Sequence, residues 1–350
     1  MPDAAETRRS APLLSAAAFV VVIAGLRAAQ PIVVPFLVAV FLAMICLPPL
    51  RSLQERGLPT WLALLVITAV ICVGGIVVVA VIGNSVNQMR LRLPTYEQRV
   101  AEIQDDLAKR LKDIDVDIGS VLDRENFKTD QVLSLFGNLL SALGSVLGNG
   151  LIIVFTLIFM LLEAADLPAK LRAISGGDGA LPGRLDRIQE SVRQYVSIKT
   201  RLSFLTGVLV TIWMWLLDVD FPVLWGLLAF LFNYIPNIGS FIAAVPAVVL
   251  AFLQYGIASA IYAALGYVAI NLIVGNVLEP RVMGRGLGLS SLVVFVSLIF
   301  WGWVLGPIGM LFSVPLTMIV KIVLDNSDEL RWVSILLGSE APRPAAGSRP

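Results

Sequence analysis

Few side chains in this sequence are equipped for chemistry, and histidine is not among them. Its absence excludes His-based triads, His-ligated metals and imidazole proton relays. No nucleophile–base arrangement stands out, so an enzyme is not expected. Cys46 and Cys72 lie inside apolar runs and read as small buried hydrophobes. They form no disulfide framework or metal-ligand spacing, and no metal or cofactor is expected. What remains is a set of amides, carboxylates, prolines and glycines in the last third. Within the charge-free block 221–278 the strongly polar residues are Asn233, Asn237, Gln254, Asn271 and Asn276. Asn233 and Asn237 flank Pro236 at a helical spacing that puts them on one face. Amides present both donors and acceptors to a neutral polar ligand. The bland alternative is an interhelical hydrogen bond, worth about 0.6 kcal/mol on average in membranes. The nearby carboxylates are Asp218, Asp220 and Glu279. Any proton coupling falls to them, because burial can raise a carboxylate pKa. Glu279 follows Asn276 by three positions and sits beside Pro280 and Arg281, so an interfacial ion pair is its alternative role.

These residues are embedded in a chain that is 57% apolar and 15% charged, against about 25% charged in a soluble domain. Charge is absent from 10–26, 28–50, 57–89, 131–162, 202–217, 221–278 and 286–320. A bilayer-spanning helix needs about 20 apolar residues. A soluble fold would interleave polar surface positions throughout such runs. The fold class is therefore an all-α, polytopic transmembrane helical bundle, with the lipid bilayer as its first partner. Full spans are expected near 11–29, 32–50, 60–83, 139–162, 202–217 and 256–278. The first run lacks an A-x-A-type cleavage site and is read as a retained span. Net charge is +1, which points to no nucleic-acid partner.

Basic residues set the orientation. Arg8, Arg9, Arg51, Arg56, Arg281 and Arg285 lie in short connections expected in the cytoplasm. So does 163–201, with Lys170, Arg172, Arg184, Arg187, Arg193, Lys199 and Arg201. The acidic turn at Asp218–Asp220 is expected outside, and both termini inside. Five segments follow: N-terminal spans (1–83), an extracytoplasmic insertion (84–138), a fourth span with a cytoplasmic amphipathic segment (139–201), a core (202–324) and a cytoplasmic tail (325–350). In the insertion, Val100, Ile103, Leu107, Leu111, Ile114, Ile118 and Val121 recur at helical steps. That helix is read as a cap on its own bundle, or else as a homo-oligomer contact. After the breaker GGDGALPG, Leu185, Ile188, Val192 and Val196 form one face of an interfacial helix.

Two stretches do not fit as simple spans. Residues 222–253 are broken by NYIPNIGS and 288–320 by WVLGPIG, and each falls short of the roughly 40 residues that two spans require. Each is read as two short helices around a turn, with Pro236 and Pro307 removing a backbone donor and Gly239 and Gly309 permitting the turn. PNIGSFIAAVP and PIGMLFSVP share a Pro, an Ile-Gly pair and a later Val-Pro. Two similar units of opposite orientation make an inverted repeat, in which broken segments mark a transporter's binding site. Irregular backbone at membrane depth is tolerated only where it is buried or lines a cavity. The expected substrate pathway is Asn233, Pro236, Asn237, Gly239, Ser240, Asn271, Asn276, Gly306, Pro307 and Gly309, with Glu279, Asp218 and Asp220 as coupling candidates.

The run NYIPNIGSFIAAVPA, followed by NVLEPRVMGRGLGLSSLVVFVSLIFWGWVLGPIGMLFSVPLT, resembles the autoinducer-2 exporter family of bacterial membrane proteins. EPRVMGRGLGLSSLVVFVSLIFWGW is similar to the subgroup associated with that quorum-sensing signal. The resemblance implies a multi-pass protein of the bacterial inner membrane that exports a small polar signalling solute. It also brings a rival, since similar proteins are linked to sodium or lithium/proton antiport. A non-transporting oligomeric scaffold is a third reading. Many members carry an acidic residue near Val274; here that position is apolar.

Overall fold

The computed structural model describes residues 17–18, 20–112, 148–163, 180–236, 238–283, 289–325 and 331–338. The described elements are helical. After a helix over 20–28 come α1 (Gln30–Glu55), α2 (Thr60–Lys112), α3 (Gly150–Glu163) and α4 (Ala180–Leu216). Then follow α5 (Pro222–Phe232), α6 (Gly239–Tyr255), α7 (Ile257–Asn271) with a π-helix over Leu272–Leu278, and α8 (Glu279–Met283). The last are α9 (Ser291–Leu311), α10 (Ser313–Asp325) and α11 (Arg331–Leu337). Five described segments are long and apolar enough to cross a membrane: Gln30–Glu55, Thr60–Arg92, Glu190–Leu216, Ile257–Val282 and Ser291–Leu311. Their outward faces carry Val70, Val73, Ile76, Ile261 and Leu265 in the open. Only a lipid solvent makes such a surface inexpensive.

Two helices run further than their apolar cores require. The span expected at 60–83 is the first part of a helix of 53 residues. At 1.5 Å per residue it is about 80 Å long, against a hydrocarbon core of about 30 Å. The insertion at 84–112 is therefore a helical continuation of that span, with Pro94 inside it; residues 113–138 lie outside the described ones. Likewise the segment expected to lie at the interface joins the fifth span in one helix, α4, of 37 residues. Val192, Tyr195, Val196 and Lys199 are buried on it. This part of α4 is packed against protein, and Lys199 finds its partner there.

The chain forms two compact units. One comprises Leu50–Gly150 and Arg193–Leu287. Its core is Met214, Leu224, Trp225, Leu228, Leu250 and a row of alanines, Ala243, Ala247 and Ala251, along α6. Four-residue spacing of small side chains lets α6 lie close to α5 and α7. A second close approach joins α4 to α5: a Cβ on Gly207 would lie 2.8 Å from the Gly226 carbonyl oxygen. The other unit comprises Met1–Pro49, Leu151–Val192 and Gly288–Pro350. Here α9 packs on α10 and α10 on α11. Phe41 stacks on Phe312 with centroids 4.0 Å apart, and the Trp301 indole donates to Thr317 Oγ1 at 3.0 Å.

Both expected breaks are present. The first separates α5 from α6 over residues 233–238. The second falls at Gly306, whose φ of 69° and ψ of −156° interrupt α9 immediately before Pro307. The α9 segment is long enough to cross, but Gly306 divides it.

Candidate functional site

The first unit holds a buried polar strip on α4. The inward positions of α4 there are Tyr195, Val196, Lys199, Ser203, Thr206, Val210 and Met214, following the three- and four-residue steps of one helical face. The ends of the strip are apolar and the middle is polar. Opposite that middle lies the first break. Asn233, the C-cap of α5, is buried and donates from Nδ2 to Ser203 Oγ at 3.0 Å. Tyr234 donates its hydroxyl to Thr200 Oγ1 at 2.7 Å, and Thr200 donates its own proton to the Val196 carbonyl. A helix of 11 residues precedes Asn233, a rise of about 16 Å from the Asp218–Phe221 turn, or about half the hydrocarbon core.

Gly239 closes this break. A Cβ there would meet the Phe232 carbonyl oxygen at 1.7 Å and the Ile235 Cβ at 3.1 Å. The start of α6 thus lies against the end of α5, and only glycine fits. In the other unit, Gly309 repeats the arrangement: its Cβ would meet the Trp301 carbonyl oxygen at 2.0 Å and the Leu305 Cβ at 2.8 Å. The two Ile-Gly pairs therefore do the same local work in both broken stretches. Around the second break, the Gln30 amide lies 2.9 Å from where a Gly306 Cβ would stand. The Arg27 guanidinium sits 4.5 Å over the Trp303 ring.

Next to the strip, Lys199 Nζ donates to both carboxylate oxygens of Glu279, at 2.8 and 2.9 Å. The Lys199 side chain is 5% exposed and that of Glu279 23%. The π-helix aims Glu279: its backbone N–H reaches back five residues to the Val274 carbonyl, and this wider winding turns Glu279 relative to the face of α7.

At the opposite end of α4 the acidic turn is locked from several sides. Arg92 and Tyr96 of α2 both donate to the Asp220 carboxylate, Tyr96 at 2.6 Å. The Gln254 side chain accepts from the Asp220 N–H, and the Trp225 indole donates to the Asp220 carbonyl. Tyr255 donates to the Asp218 carbonyl and carboxylate. These contacts hold Asp218 and Phe221 in left-handed conformations, with φ of 56° and 60°. For Phe that is a true outlier. Burial first, then Asp220, push the Tyr96 phenol well above its ordinary range, so it remains a donor.

The expected residues thus separate. Asn233, Pro236 and Gly239 share the first break with half-buried Ser240; Asn237 lies outside the described residues. Gly306, Pro307 and Gly309 form the second. Asn271 is half-buried, and Asn276 is exposed on the π-helix. Sequence patterning gives Thr200 and Ser203 no role and treats Lys199 only as a marker of topology. Yet Lys199 follows Val192 and Val196 at helical steps, which is a legible sign of burial. A cleft of about 280 Å³ lined by Phe204, Gly207, Thr211, Gly226 and Phe230 is apolar, and offers nothing to a polar solute.

Membrane-crossing helices, two glycine-closed breaks and a satisfied polar strip beside one of them are the architecture of a multi-pass membrane transporter. Residues 16–329 match the AI-2E family transporter description, and the chain belongs to that family. It is 38% identical over 91% of its length to the AI-2 transport protein TqsA of Escherichia coli K12, covering 92% of that protein. A putative transport protein of Haemophilus influenzae is 38% identical, with 93% of this chain and 95% of the relative covered. The putative transport protein YhhT of E. coli K12 is 34% identical, with 95% of each covered.

Proposed function

We propose that this transporter exports a small, hydroxylated signalling solute of the autoinducer-2 type across the bacterial cytoplasmic membrane, with both termini inside. The observation that carries this reading is the row of three neutral hydroxyls and one amide, Thr200, Ser203, Asn233 and Tyr234, at a helix break. Such groups exchange hydrogen bonds with a polyol without a charged ligand to neutralise. The name of the E. coli relative, an AI-2 transport protein, agrees in substrate class. The substrate pathway in this unit comprises this row with Pro236, Gly239 and Ser240; the break formed by Gly306, Pro307 and Gly309 belongs to the other unit. Sodium or lithium antiport fits less well. Glu279 is taken by Lys199, Asp220 by Arg92 and Tyr96, and Asp218 by Tyr255. A metal ion would have to displace these donors.

The test is the ratio of extracellular to intracellular autoinducer-2 in matched strains with and without the gene. Export predicts that deletion raises the internal level and lowers the external one, with plasmid rescue. Equal levels on both sides in all strains would sink the reading.

A further inference from the structure

We infer that Lys199 and Glu279 form a proton-exchange switch that couples export to proton entry; the inference rests on the export reading above. The pair is the notable charge in this part of the bundle. The rest of α4 toward the acidic turn, 202–217, and all of 221–278 are uncharged. Two well-packed apolar residues would fill the same space at equal or lower free energy, because burying both ions costs more than their attraction readily returns. Ionisable groups kept inside a membrane bundle mark pathways and proton relays. Three features make this pair a switch rather than a fastening. It adjoins the polar strip, since Lys199 precedes Thr200 and lies one helical turn from Ser203, which hold Tyr234 and Asn233 at the break. Glu279 is the more exposed partner, at 23% against 5%, so the proton acceptor is the less enclosed of the two. The π-helix behind Glu279 is a rare winding that occurs frequently at functional sites.

The step balances as follows. In the paired state Glu279 is a carboxylate, Lys199 an ammonium, and the pair is neutral. A proton arriving from outside adds to a Glu279 carboxylate oxygen, giving a neutral carboxyl; Lys199 keeps its protons and the pair carries one positive charge. The ammonium is no longer held and its donors turn to other acceptors. When the proton leaves toward the cytoplasm, the ion pair re-forms. The freed Lys199 ammonium turns toward the neighbouring Thr200 and Ser203 oxygens of the strip, where it competes with the solute without the solute binding Glu279 itself. Proton and solute therefore exclude each other, which is the condition for exchange. Titratable groups placed near Glu279 include Lys199 and Tyr195 on α4 and Arg281 on its own helix, and no second carboxylate is among these.

The full-length protein in liposomes tests this with autoinducer-2 as the probe. Counterflow of labelled autoinducer-2 at equal pH reports solute binding and passage. Efflux from preloaded vesicles under an acidic exterior, with an internal pH dye, reports coupling. The wild type is expected to show counterflow, efflux accelerated at least threefold by the gradient, and solute-dependent internal acidification. Single variants leave a buried ion unpaired and risk misfolding, so the decisive variant is the neutral double K199M/E279Q. It is expected to insert and keep counterflow within about threefold while losing both acceleration and acidification. Wild-type counterflow without acidification, or a double variant that remains gradient-driven, overturns the switch and leaves export standing. A wild type without counterflow overturns the export reading and the switch with it.

Discussion

At the scale of single residues, glycine carries the breaks and a lysine carries the charge. Gly239 and Gly309 are required for lack of space, not for an unusual φ. A methyl at either would sit 1.7 or 2.0 Å from a backbone carbonyl oxygen of the preceding limb. Overpacking a fitted site costs about 1–3 kcal/mol when side chains give way, and a carbonyl gives way less readily. Gly239→Val and Gly309→Val are each expected to lower export at least tenfold, with membrane level and detergent-extracted size as controls for folding. Normal export from well-folded variants at both positions would mean that the breaks are packing devices. Ser203→Ala is a milder test. It removes the acceptor of the Asn233 amide, a loss of about 0.6 kcal/mol in a membrane bundle. It should leave protein level unchanged while raising the half-saturating autoinducer-2 concentration in counterflow by severalfold. Unaltered counterflow would place the solute elsewhere.

At the scale of elements, the informative feature is continuity. Apolar patterning divides α2 at about residue 83, because polar and charged residues set in soon after it, but the backbone continues as helix to Lys112. Composition reports the solvent around a helix, not where the helix ends. The same holds for α4, whose basic first half and apolar second half are one rod. The far part of α2 is tied to the acidic turn through Arg92 and Tyr96. That turn holds two left-handed non-glycine residues, a conformation costing on the order of 1–3 kcal/mol each unless the surroundings over-determine it. Asp220→Asn keeps the shape and removes the charge. We expect amide hydrogen exchange across 217–222 to speed up at least tenfold, with α6 and α7 unaffected. An unchanged turn would show that Trp225 and Gln254 suffice to hold it.

For the whole molecule, topology is the testable quantity. From the short basic connections and the Asp218–Asp220 turn we propose both termini inside and the continuation of α2 outside. In a background with Cys46 and Cys72 replaced, Gln104→Cys should react with an impermeant thiol reagent in intact spheroplasts. Labelling only after membrane disruption would reverse the orientation. The helical length of α2 sharpens this test. A helix of about 80 Å extends beyond a core of about 30 Å, and position 104 lies beyond the apolar window that ends at Arg92.

Fold class was legible in the sequence because lipid imposes a one-dimensional constraint. Each span must be apolar for its full length, and charge can appear only where water begins. The breaks were legible for the same reason, since 222–253 and 288–320 are too short for paired spans and carry Pro and Gly where a turn is needed. The partners within the polar clusters were not legible. Lys199 and Glu279 lie 80 positions apart, and Arg92 and Asp220 lie 128 apart. Periodicity places a residue on a face of its own helix and says nothing of the face it meets. Asn276 shows the converse: its spacing from Glu279 is suggestive, but the π-helix turns it outward. Only the packing of α4 against the first break and α8 decides that a lysine read as a marker of the cytoplasm becomes a buried ion. Pairing of that kind depends on interhelical geometry, which distant segments set together.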